Sequence, residues 1–135
     1  MAVATLYRPY DMKLRIRGNS VRIRLSQTEL KELAENGVAE DRARFSAESS
    51  LAYRVRVAPA GPVRAEFGAD GVTVTLPRAT LERWLAPDEV SIRAEQPIDG
   101  GDALKILVEK DFACLVPREG EDDSDLFPNP ARHAC

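Results

Sequence analysis

Apolar and polar residues alternate strictly from Met12 to Leu25. Leu14 and Ile16 stand on one side of the pattern and Lys13, Arg15 and Arg17 on the other. After Gly18-Asn19 the rhythm resumes, with Val21, Ile23 and Leu25 set against Arg22 and Arg24. Two period-two runs joined by such a pair predict a β-hairpin. The period then lengthens. Ser26 and Glu29 have capping-box spacing, Leu30, Leu33 and Ala34 share one helical face, and Gly37 suits a C-terminal stop. A third strand is expected over Val38–Phe45 and a fourth over Leu51–Val57, before Pro59-Ala60-Gly61-Pro62 breaks the chain.

The same order of signals follows a second time. Val63–Phe67, a Gly-containing turn over 68–71 and Val72–Leu76 predict another hairpin. Pro77 suits a first helical position, Leu81, Trp84 and Leu85 give the helix its apolar face, and Pro87 closes it. Val90–Ala94 and Leu104–Val108 are the last two strands. Val21, Ile23, Leu25, Leu30 and Leu33 recur at constant spacing as Val72, Val74, Leu76, Leu81 and Trp84. Five matched core positions without a gap point to an internal duplication. The fold expected is α+β: a small, β-rich, barrel-like domain of two pseudo-symmetric β-hairpin–helix–strand repeats. Repeat one covers about 12–58 and repeat two about 63–110, within a single domain over 12–117. Residues 1–11 form an N-terminal extension and 118–135 an acidic C-terminal tail.

Bulk properties narrow the function only a little. The 135 residues suffice for one cored domain, and 44% hydrophobic with 30% charged residues is ordinary globular composition. The net charge of −3 gives no whole-chain argument for nucleic acid. Its distribution is more telling, because the first hairpin is basic and the tail carries Glu119, Glu121, Asp122, Asp123 and Asp125. No apolar run approaches a bilayer span, and the two cysteines, Cys114 and Cys135, make no disulfide framework. A cytoplasmic protein that does not enter a membrane is expected, as monomer or homodimer.

The stretch Arg17-Gly18-Asn19-Ser20-Val21-Arg22-Ile23-Arg24-Leu25, with its short helix and glycine turn, resembles the swapped-hairpin barrel of MazE/AbrB-type antitoxins and transition-state regulators. Gly71-Val72-Thr73-Val74-Thr75-Leu76-Pro77 with Asp88-Glu89-Val90 resembles the same pattern. That likeness covers about residues 13–46 and 65–96. It implies a barrel completed within one chain and arginines presented to DNA. The whole chain after residue 11 also resembles a small uncharacterised bacterial family, in Met12–Val21, Leu107–Leu115 and Phe127-Pro128-Asn129-Pro130. This second resemblance implies no activity.

Three features could carry function. Lys13, Arg15, Arg17, Arg22 and Arg24 would share one face of the first hairpin, as a DNA- or partner-binding surface requires. Against this, Glu40, Asp41, Glu66, Glu95 and Glu109 could neutralise such a face, and Thr73 and Thr75 replace the arginines in the second copy. A palindromic DNA site is therefore disfavoured. The acidic tail ending in Leu126-Phe127 could capture a protein partner, or could fold back on the domain. Cys114, His133 and Cys135, completed by Asp111, could hold zinc, although no closed ligand signature is present. No catalytic constellation or phosphate loop is recognisable. The reading is a non-enzymatic binding or regulatory module, a protein partner being favoured over DNA by the charge balance. A small metal-binding protein is the alternative.

Overall fold

The computed structural model describes residues 12–69, 71–112 and 125–128. The chain follows the order ββαββ twice. The first half contains β1 (Lys13–Ile16), β2 (Ser20–Leu25), α1 (Gln27–Asn36), β3 (Val38–Arg44) and β4 (Ser50–Ala58). The second contains β5 (Arg64–Gly68), β6 (Gly71–Pro77), α2 (Arg78–Trp84), β7 (Ser91–Pro97) and β8 (Ala103–Lys110).

The strands form two four-stranded sheets, ordered β1-β2-β8-β7 and β3-β4-β6-β5. Each sheet joins the opening hairpin of one half to the closing hairpin of the other. The central pairs are parallel and sit in matching register: Val21 opposite Ile106 and Ile23 opposite Val108, then Tyr53 opposite Val72 and Val55 opposite Val74. The α+β, pseudo-symmetric arrangement follows the sequence pattern, but the barrel is not closed. Among the described residues the two sheets share no backbone ladder. Side chains bridge them instead. Met12 N donates to Asp41 Oδ2 at 3.2 Å and Tyr53 Oη donates to Met12 O at 2.8 Å. On the other side Gln96 exchanges two bonds with the backbone of Ala65, at 2.8 and 3.0 Å.

The core between the sheets is made by the apolar parity of each strand. Ile23, Leu25, Val55, Val74, Leu76 and Val108 are wholly buried, together with Leu33 of α1 and Leu81 of α2. Each such side chain stabilises the fold by about 1.5–3 kcal/mol through area removed from water. Helix α1 begins as the spacing predicts: Glu29 N donates to Ser26 Oγ and Ser26 N donates to Glu29 Oε1. It ends at Gly37, whose left-handed φ of 81° lets its N–H reach Leu33 O.

The second helix differs in detail. Pro77 is the N-cap, not the first helical residue, because its ψ of 148° keeps it in the β6 ladder opposite Ala58. The helix is over at Trp84, so Leu85 caps it and stays 41% exposed, outside the apolar face expected for it. Trp84 is buried and donates from Nε1 to Val90 O at 3.2 Å.

Candidate functional site

Strand alternation places the polar parity of β1, β2, β8 and β7 on the outer face of one sheet. Register sorts those residues into cross-strand rows. One row reads Lys13, Arg24, Glu109, Ser91, and the next reads Arg15, Arg22, Leu107, Arg93. A third brings Ser20, Lys105 and Glu95 together beside Arg17. Neighbouring strands lie about 4.8 Å apart, so a four-strand row spans roughly 14 Å.

The first row is neutralised. Glu109 is buried, and its Oε1 accepts from Arg22 Nε at 2.6 Å and Arg24 Nε at 2.7 Å. Lys13 Nζ lies 2.8 Å from the buried Asp111 carboxylate. Two of the basic candidates therefore share one carboxylate, and a third is held by another. Glu40 and Glu66, offered as neutralising groups, lie instead on the other sheet.

Below that row the charges stand open. Arg15, Arg17, Arg93 and Lys105 are exposed, and among the described residues their side chains make no ion pair or hydrogen bond. They border an open cleft of about 610 Å³ with Arg22, Leu107 and the exposed Glu95, which stands opposite Lys105. Leu107, half-buried, is the apolar centre of this group. Arg15 directly faces Arg22 across the β1–β2 ladder. Like charges so placed are destabilising, on the scale of about 0.2–1 kcal/mol for cross-strand pairs.

The other sheet resolves the same position differently. Its corresponding row reads Glu66, Thr73, Arg54, Glu40. Arg54 Nε donates to Glu40 Oε2 at 2.6 Å and its Nη1 to Thr73 Oγ1 at 2.6 Å. Where one face presents arginine at both edges and leucine within, the other presents carboxylates at both edges and a paired arginine within. The pseudo-symmetry shared by the cores stops at these surfaces.

The tail and the cysteine cluster give a different picture. Cys114, His133 and Cys135 lie outside the described residues, as does the acidic run before Asp125. Asp111, offered as their fourth ligand, is committed to Lys13. Among the described residues no group of three His, Cys, Asp or Glu is placed to hold a metal ion. Residues 125–128 do fold back. Gln27 N, an orphan donor of the first turn of α1, bonds Asp125 O at 3.0 Å, and Gln27 Nε2 bonds Leu126 O at 3.0 Å. Leu126 is buried, Phe127 N bonds Asp111 O at 2.9 Å, and the Phe127 ring meets Phe112 edge-on at 6.0 Å. Lys110 Nζ sits 5.6 Å from the Phe127 centroid and donates to Ala86 O at 2.9 Å. Burial pushes the Lys110 pKa down, against the opposing pull of Asp88 and Glu89.

Arg93, Lys105 and Leu107 were not among the residues singled out from sequence. Their parity on the last two strands was readable, but the parallel β2–β8 pairing that sets them beside the first hairpin joins residues far apart in the chain. No helix among the described residues is long and apolar enough to cross a membrane. Neither the curated proteins nor the solved structures contain a match to the chain. The profile of a family of unknown function, DUF7009, matches residues 12–131, and the chain belongs to that family.

Proposed function

We propose that this protein is a non-enzymatic binding module that holds an anionic partner on the outer face of the β1-β2-β8-β7 sheet. The observation that carries this reading is the set of four exposed cations around Leu107, Arg15, Arg17, Arg93 and Lys105, whose side chains make no ion pair among the described residues although Glu95 stands opposite Lys105. A solvated structural face would be expected to neutralise itself, as Arg54 does with Glu40 at the corresponding place. Duplication of one ββαββ unit accounts for the shared core, and divergence of one outer face accounts for the binding surface. Both halves contribute to each sheet within one chain, which favours a monomer as the working unit.

Heparin chromatography tests the surface. The intact chain should be retained at low salt, and Arg15→Glu/Arg93→Glu should elute early. A charge-matched control on the other sheet, Arg42→Glu/Arg44→Glu, should elute close to the unaltered protein. Equal losses for both pairs would refute a localised face, since they would reflect net charge alone.

A further inference from the structure

Resting on that anion-binding reading, we infer that the occupant of the cleft is a protein segment in which carboxylates flank an apolar side chain. The argument begins with Leu107. It is apolar, half-buried and central, with Arg22 on the neighbouring strand to one side and Arg93 on the neighbouring strand to the other. A ligand of uniform negative charge would set a charged group over Leu107 and gain nothing from it. A ligand with an apolar group at its middle would cover Leu107 and bring its flanking charges to the arginines.

The spacing agrees. In an extended peptide, side chains on one side repeat every ~6.7 Å, so carboxylates four residues apart lie ~13 Å apart with an apolar position between them. The row from Arg15 to Arg93 spans roughly 14 Å at the same strand geometry, with Leu107 about 4.8 Å from Arg93 and about 9.6 Å from Arg15. That is an offset of about 2 Å from a peptide's middle position, which the long arginine side chains can take up. Arginine suits this task because its planar fork pairs with carboxylates through two parallel bonds.

Nucleic acid fits less well. Single strands are held by stacking bases on aromatic rings, and no aromatic residue lies in these rows or lines the cleft. Palindromic duplex sites are matched by two-fold related basic surfaces, whereas the second sheet carries Glu66, Thr73, Arg54 and Glu40 at the corresponding row.

Fluorescence anisotropy at low ionic strength with four labelled probes decides the matter. The probes are an Asp-Ser-Leu-Ser-Asp peptide, the same peptide with serine for leucine, a 12-nucleotide single strand and a 12-base-pair duplex. The leucine peptide is expected to bind best, with the serine version about fivefold weaker from lost apolar contact. Arg15→Ser/Arg93→Ser should weaken the leucine peptide by about tenfold or more, and Arg44→Ser should leave it unchanged. Equal binding of both peptides would overturn the acidic–apolar inference while leaving the anion-binding face standing. Tighter binding of either nucleic acid would overturn it in favour of that partner. Failure of every probe to bind would overturn both readings.

Discussion

Replacing Glu109 by Gln tests whether one carboxylate both stabilises the sheet and masks part of its charge. The amide keeps the shape and a carbonyl acceptor but removes the charge that Arg22 and Arg24 share. Hydrogen bonds to an ionised partner contribute about 1.5–3 kcal/mol each, against about 0.5–1.5 for neutral pairs, so two such bonds weakened together set a ceiling of roughly 2–3 kcal/mol. Arg22 and Arg24 are 27% and 37% exposed, and water recovers part of that loss. A net destabilisation of about 1 kcal/mol is therefore expected, or a fall in melting temperature of roughly 3–6 °C. The same change leaves two more arginines free beside Arg15, so the variant should elute from heparin at higher salt than the unaltered chain. Thermal unfolding and the elution position are read on one preparation. An unchanged melting temperature would refute the claim that Glu109 neutralises the row. Lower stability without later elution would refute the placement of Arg22 and Arg24 on the binding face.

Three further perturbations probe the parts that hold this face. At Gly71, with φ of 139°, an added Cβ would stand 1.8 Å from Ala52 O, so Gly71→Ala should destabilise the chain by more than about 2 kcal/mol in urea unfolding; a loss below 0.5 kcal/mol would contradict the close β4–β6 approach. Leu126→Ala should cost about 2–4 kcal/mol by the same measurement, because Leu126 is buried where the returning segment meets α1, and a neutral result would show that segment to be dispensable. Burial lowers the Lys110 pKa below its ordinary 10.5, so as pH rises toward 10.5 the folded state sheds this proton before the unfolded state does. The unaltered chain should then gain stability relative to Lys110→Met over that window, and a constant difference between the two would refute the shift.

The local signals in this sequence were strong and the long-range ones weak. Ser26 with Glu29 marked the start of α1, Gly37 its end, and the alternation from Met12 to Leu25 the first hairpin, because each rests on geometry a few residues wide. The recurrence of Val21 and Ile23 as Val72 and Val74 announced two similar halves, and both pairs sit in the buried parity of their sheets. What alternation could not convey was which strand lies beside which. The alternation marks the basic hairpin as one face and offers Glu40, Asp41, Glu66, Glu95 and Glu109 to neutralise it, without saying which of them lies beside it. The parallel crossing of β2 with β8 instead divides it, leaving Lys13, Arg22 and Arg24 with Asp111 and Glu109 and setting Arg15 and Arg17 with Arg93 and Lys105.

That division explains why asymmetry between the halves is more informative here than their likeness. Core positions are tied by packing: any residue opposite Ile23 or Val74 must fill the same dry space, so similarity there reports only a common fold. Outer-face positions carry no such tie, and a neutral, self-paired row is the arrangement of least electrostatic cost. The β3-β4-β6-β5 sheet comes close to it: Arg54 pairs with Glu40 and Thr73, and Glu66 with Arg64 of its own strand. The β1-β2-β8-β7 sheet departs from it at every strand of the corresponding row, with arginine for Glu66, arginine for Thr73, leucine for Arg54 and arginine for Glu40. Folding gains nothing from setting Arg15 opposite Arg22. The proposed anionic partner would supply that gain, since among the described residues Arg15, Arg17, Arg93 and Lys105 find no ion-pair partner.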